Sequence, residues 1–297
     1  MIDDAMLNLM MEITTLSFVI PVAFIAVWKL RMRDSLIPVF IGMGVYLVFA
    51  ELFQSVPDTA FLASRHPLAR ILTQNIWLLT LYTTLTAVLL QGIGRFAAFR
   101  FFMKPEQSVN AAVSFGLGFG FTECVFSLAI PNLQRYSFGL MVNQKQADVL
   151  LQSVNDATAS AYRDMIQELS VTSRMDLLLD GVWQCSFIFL QAALAVFFYY
   201  AVRRTDTKAE RIRMILVSMG IQAFILYLDA FAKAGIVPRF VVVLAVIIVT
   251  VGVVQAAYRY YKTLSVKEET KETNQDGWNY AGKRYVSREK EKKDTDL

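Results

Sequence analysis

The feature that most limits what this chain can become is a series of seven long apolar runs, near Met10–Trp28, Leu36–Leu52, Ile71–Gly94, Val109–Ile130, Leu177–Val202, Ile212–Ala232 and Phe240–Tyr258. A helix that crosses a bilayer needs about 20 mostly apolar residues, whereas a transmembrane barrel strand needs only about ten, alternating in polarity. The runs have the first length and lack the alternation. Only a helix satisfies all its backbone groups within one isolated segment. The sequence therefore predicts an all-α, polytopic integral membrane protein with seven transmembrane helices. With 56% of residues hydrophobic and 18% charged, a water-soluble domain of this size is excluded. Pro21, Pro38 and Pro131 fall inside or at the ends of runs, where a helical bundle absorbs a kink.

The charged residues sort by side. Lys29, Arg31 and Arg33 follow the first run, and Arg95, Arg100 and Lys104 follow the third. Arg203, Arg204, Lys208, Arg211 and Arg213 join the fifth and sixth. The opposite side has only Arg65, Arg70, Arg135, Lys145, Arg163, Arg174, Lys233 and Arg239, spread over longer loops. The positive-inside rule then predicts an outer N-terminus and a cytoplasmic C-terminus, in agreement with the acidic Asp3 and Asp4. The net charge of +4 expresses topology. No basic face interleaved with exposed aromatics offers a surface to nucleic acid, so the expected partner is the lipid bilayer. The N-terminus lacks the basic region and cleavage site of a secretory signal, so the first run is expected to stay as an anchor.

Residues 1–262 are expected to form the membrane domain, with an external amphipathic loop at about 132–175. There Val149, Leu150, Val154, Ala157, Ala161 and Ile166 recur at helical spacing, as in a lid or a plain connecting helix. Residues 263–297 mix lysine, arginine, glutamate and aspartate and are expected to be a disordered cytoplasmic tail. No internal repeat is visible, which argues against an inverted-repeat transporter.

What carries chemistry is the polar remainder inside the runs. Cys124 and Cys185 lie in apolar runs, and the lone histidine, His66, stands in a loop before Pro67. These residues cannot supply a disulfide framework or a histidine or thiolate metal site, so neither metal nor cofactor is expected. Four acids sit at bilayer depth: Glu51, Glu123, Asp180 and Asp229. Ionisable groups there cost a few kcal/mol and are functional candidates by default. Converging, they would make an outward-opening proton, cation or peptide site; alternatively Glu51, Asp180 and Asp229 reach the outer interface by snorkelling. Glu123 lies deeper. It follows Gly116, Gly118 and Gly120, of which Gly116 and Gly120 have the small-xxx-small spacing that lets another helix approach closely. Gln91 and Arg95 close the third run, and Gln184, Gln191 and Gln222 lie near the middle of the fifth and sixth, where an amide serves equally as interhelical glue.

The order of these pieces resembles the YhfC family of bacterial seven-span membrane proteins, which belongs with the CAAX-protease and PrsW-like intramembrane peptidases; it also looks like the APH subunit of γ-secretase. The resemblance rests on Leu89-Leu90-Gln91-Gly92-Ile93-Gly94-Arg95-Phe96, on Phe99-Arg100-Phe101-Phe102-Met103-Lys104, on Gly116 to Glu123, and on Phe189-Leu190-Gln191 and Gly220-Ile221-Gln222. It implies a multi-pass protein of the bacterial cytoplasmic membrane. In the peptidases a glutamate precedes the arginine by one helical turn, and histidines on later spans complete the site. The resemblance sets Gly92 at the glutamate position with Gln91 beside it, and Gln191, Gln222 and Phe119 at histidine positions. A carboxamide donates and accepts hydrogen bonds but is neither a base nor a good metal ligand. The resemblance therefore implies a peptidase fold with degenerate chemistry, binding a membrane peptide or protein client in a cavity lined by Gln91, Arg95, Glu123, Gln191 and Gln222, with Glu51, Asp180 and Asp229 nearby. The alternatives are an active peptidase rebuilt around Glu123 and Arg95, or a cation or proton transporter.

Overall fold

The computed structural model describes residues 2–33, 35–62, 67–103 and 108–266. Seven helices are long and apolar enough to cross a membrane: α1 (Asp4–Met32), α2 (Ile37–Phe61), α3 (Ile76–Phe102), α4 (Val109–Asn143), α5 (Arg174–Arg203), α6 (Lys208–Lys233) and α7 (Arg239–Val266). The described residues contain no strand. His66, Arg65, Lys104 and the tail beyond Val266 lie outside the described residues.

Two helices continue furthest past the ends of their apolar runs. The second continues past Leu52 to Phe61, and the fourth past Ile130 to Asn143, so the segment that follows the fourth apolar run begins as a continuation of α4. Both contain a π-helical turn, at Leu47–Leu52 and at Val125–Ala129. Pro131 explains the second of these: its ring has no N–H to give the carbonyl of Ser127 and would clash with it in a regular helix, so the preceding turn widens. Beyond α4 come short helices Ala147–Ser153 and Asp156–Val171. On the latter Ala159 and Leu169 are buried and Ile166 is partly so. The side chains of Leu150, Ala157 and Ala161 lie outside what the structure describes, and Val149 is exposed.

Helix starts are capped by side chains. Asp3 accepts from the Ala5 amide, Asn75 from the Trp77 amide, and Thr207 from the Glu210 amide, while Ser173 and Asp176 form a reciprocal capping box. Each cap satisfies backbone donors that a membrane would leave without water.

Helices α4 and α5 form the centre, with α2 against α4, α3 and α6 against each other, and α1 across α4 and α5. The glycines of α4 set these distances. A methyl added at Gly116 would meet the Ala192 Cα of α5 at 2.5 Å and the Gln191 carbonyl at 2.7 Å. At Gly120 it would meet the Ile188 Cα at 3.0 Å, and at Gly118 it would overlap the Val39 carbonyl of α2. Gly42 of α2 packs reciprocally on the backbone of Phe115 and Phe119. The small-residue spacing thus serves two neighbours at once: Gly116 and Gly120 face α5, and Gly118, between them, faces α2.

Candidate functional site

Helical geometry puts residues four apart on one face. On α3 these are Gln91 and Arg95; on α4, Phe119 and Glu123. Gln191 comes from the middle of α5 and Gln222 from the middle of α6. The five polar side chains meet inside the bundle, where Arg95 is 1% exposed and Gln191 and Gln222 are 0% exposed.

Arg95 is the hub. Its Nη1 donates to Gln222 Oε1 at 2.7 Å, and its Nη2 donates to Gln191 Oε1 and, at 3.4 Å, to Gln91 Oε1. Gln222 Nε2 then donates to Gln91 Oε1 at 2.5 Å, and Gln191 Nε2 donates to Glu123 Oε2 at 2.5 Å. A buried guanidinium without partners would cost several kcal/mol. Three carboxamide oxygens, the Glu123 charge reached through Gln191, and the Phe119 ring 4.4 Å from Cζ offset that cost. Among the fully buried polar side-chain atoms of this cluster, Arg95 Nε has no partner.

Gln91 and Gly92 face different neighbours on α3. The position that faces Arg95 from one turn earlier is Gln91, whose carboxamide has the length of a glutamate side chain. Gly92 points instead at α6, where Met219 fills the space: a methyl at Gly92 would lie 3.0 Å from its sulfur.

The residues expected to line one cavity fall in two places. A cavity of about 380 Å³ opens at the end of the bundle where α1 begins and reaches inward to Glu123, Ser127 and Gln184. Glu123 belongs to both its wall and the buried network; Gln91, Arg95, Gln191 and Gln222 belong to the network alone. Asp180 and Asp229 do come together, at the mouth. Arg239 of α7 donates to Asp180 at 2.7 Å and to Asp229, and Lys233 pairs with Asp229 at 2.7 Å. The Arg239 guanidinium also lies 5.2 Å from the Trp183 ring centre. Glu51 is exposed on the π-helical turn of α2 and is not part of this cavity wall. Cys124 is buried and Cys185 partly so, and both thiols are unbridged.

Reading the sequence missed Gly42, Met219, Trp183 and Arg239 as parts of the site. Arg239 had a usable signal: two carboxylates near the ends of α5 and α6 require a cation, and it opens the next helix.

For a metal, the cluster is a poor host. All three glutamine oxygens face a guanidinium, so a cation already occupies their centre, and amide oxygens suit hard ions better than zinc. Among the described residues no three His, Cys, Asp or Glu side chains are grouped to hold one. Glu123 is the sole carboxylate in the cluster.

Comparison with known proteins agrees with this helical architecture. No solved structure matches the chain. The protein described as "Uncharacterized membrane protein YhfC" from Bacillus subtilis (strain 168) is 25% identical over 188 residues, which cover 63% of this chain and 72% of that relative. Residues 16–248, which include every residue of the polar cluster, match the family described as YhfC intramembrane metalloprotease. The chain is thus a multi-pass membrane protein and belongs to the YhfC family.

Proposed function

We propose that this chain is a non-hydrolysing member of its family, a membrane scaffold that holds a polypeptide client in the cavity ending at Glu123. The observation that carries the reading is the environment of Arg95. Where a metallopeptidase needs a carboxylate base and metal ligands, three neutral carboxamides are consumed by one guanidinium. The residues do not fit a catalytic metal. What remains suits binding. The cavity offers a carboxylate at its base, the Trp183 and Phe187 rings along its wall, and charges of both signs at its mouth. Such a lining suits an extended segment that presents backbone amides and side chains of mixed polarity. With the predicted topology, the cavity opens outward and the tail is cytoplasmic.

Purified full-length protein in liposomes, incubated with transmembrane and extended peptides in the presence of zinc, should release no products. Photo-crosslinking from position 127 in native membranes should give discrete adducts that Glu123→Gln weakens. Zinc-dependent cleavage abolished by Glu123→Gln would overturn the reading and favour the second one, a peptidase rebuilt on Glu123, which the exposure of that carboxylate to the cavity supports. Cation or proton flux lost in Glu123→Gln would favour transport instead.

A further inference from the structure

The opposite end of the bundle carries a larger cavity, of about 660 Å³, that the polar cluster does not use. Its walls come from three places: the last turn of α5 with the connector after it, the first turn of α6, and the last two turns of α7. They bring together Arg203, Asp206, Glu210, Arg259, Tyr200 and Tyr260, with Arg204, which donates to the Tyr199 hydroxyl, as a third arginine.

The groups are positioned. Arg203 is anchored by a bond from Nη2 to the Met103 carbonyl at 2.7 Å, leaving its other N–H groups for a ligand. Tyr200 donates to Glu210 at 2.9 Å and so orients that carboxylate. The Tyr260 ring is fixed edge-on against Tyr200 and Phe197, with centroids 4.9 and 5.6 Å apart. Among the described residues, no ion pair joins Arg203 or Arg259 to Asp206 or Glu210. Both signs of charge therefore face the cavity uncompensated by each other.

Place and charge together select a ligand. The cavity lies at the helix ends, the depth of the headgroup layer. Arginine and tyrosine donors alone would suit any phosphate. Two carboxylates in the same walls disfavour a purely anionic headgroup and call for a cation with N–H donors beside the phosphate. The apolar remainder of a lipid has a surface to lie on, because Ile212, Leu216 and Val217 of α6 are exposed and begin within about one turn of Glu210.

We propose that this cavity is a binding site for a phospholipid whose headgroup carries a phosphodiester and a primary ammonium, that is, phosphatidylethanolamine. The phosphate accepts from Arg203, Arg259 and Tyr260, and the ammonium donates to Asp206 and Glu210. The site is independent of the function proposed for the Glu123 cavity.

The test is native mass spectrometry of the full-length protein in detergent with equimolar phosphatidylethanolamine, phosphatidylcholine and phosphatidylglycerol of identical acyl chains. Phosphatidylethanolamine should be retained roughly tenfold over both others, the scale of one charge-assisted hydrogen bond. Phosphatidylcholine has the phosphate and charge without N–H donors, and phosphatidylglycerol lacks the cation. Asp206→Asn with Glu210→Gln should erase the preference while leaving some retention. Arg259→Gln, at an exposed position that leaves the Arg203 anchor intact, should lower retention of all three. Equal retention by the wild type, or phosphatidylglycerol held best, would overturn the proposal. So would complete displacement by soluble phosphoethanolamine, which would make the free headgroup the ligand. Protection of residues 267–297 from protease in lipid-free protein, lost in Arg259→Gln, would give the cavity to the chain's own tail and also overturn it.

Discussion

Gln191 donates its carboxamide N–H to Glu123 at 2.5 Å while its oxygen accepts from Arg95, so the only two charges of the central cluster communicate through one neutral side chain. The direction of the amide is fixed by the charges: its oxygen must face the cation and its nitrogen the anion. Replacing Gln191 with Leu would leave both ions buried and without that bridge. The expected loss is about 3–5 kcal/mol, the scale for orphaning a buried charge. Reversible unfolding in mixed micelles measures it. Removing both charges at once, Arg95→Met with Glu123→Met, should cost less than the two single changes summed; strict additivity would show that Gln191 does not couple them.

The glycines give a sharper contrast. At Gly116 any side chain collides with the α5 backbone at 2.5 Å, and backbone cannot move aside cheaply, whereas an added methyl at Gly220 meets nothing within 4 Å. Gly116→Ala should therefore destabilise by about 1–3 kcal/mol, the usual cost of overpacking. Gly220→Ala should be neutral or stabilise by about 0.5–1 kcal/mol, through helix propensity. Parallel thermal melts of the two variants decide the matter, and equal effects would contradict the close approach of α4 and α5.

These two cases show what was legible in the sequence. The seven helices could be read directly, since apolar length is a local property. The spacing of Gly116 and Gly120 announced a close neighbour but not that Gly118 served a different one, nor that Gly42 completed it from 70-odd residues away in the chain, a pairing that depends on tertiary packing. Within the site, Arg95, Glu123, Gln191 and Gln222 could be named as polar residues in apolar runs. Their partition into a sealed network and a cavity wall could not, because it depends on which way each helix is rotated. The same applies to Gln91 and Gly92: adjacent residues point about 100° apart on a helix, and only packing shows which of them faces Arg95.

At the mouth of the cavity, Arg239 holds Asp180 and Asp229 and ties α7 to α5 and α6. The three side chains are 23%, 30% and 19% exposed in that order, so water screens the pairs only in part. Arg239→Gln should cost about 1–2 kcal/mol and loosen the mouth. A cysteine at Ser127, which lines the cavity, should then react faster with a charged maleimide than in an otherwise unaltered chain. Arg239→Lys should restore the barrier incompletely, since an ammonium cannot present two forked donors to separate carboxylates. An unchanged labelling rate in Arg239→Gln would show that the ion pairs do not bar the entrance.

The same end of the bundle is closed by Asp3 and Arg174, an exposed pair that joins the start of α1 to the start of α5. Asp3 has two roles, since it also caps α1 through the Ala5 amide at 3.1 Å. The hydrogen bond from Arg174 chiefly, and the Ala5 amide next, hold its carboxyl below the ordinary value of 3.8. A carboxyl lowered by folding contributes stability that is complete above its unfolded value and disappears as pH falls through the lower folded one. The docking of the two helix starts should thus be constant from neutral pH down to about 4 and weaken only below that, the range set by the ordinary carboxyl value. Hydrogen exchange of the segment around Ala5, corrected for the intrinsic rate at each pH, reads this directly. Asp3→Asn keeps a competent cap and loses the charge, so it should abolish the acid transition with little fraying at neutral pH; Asp3→Ala should fray α1 at every pH. Raised salt should reproduce part of the Asp3→Asn effect in the wild type, because an exposed pair is screened within about a Debye length. An acid transition that persists in Asp3→Asn would assign it to another carboxyl.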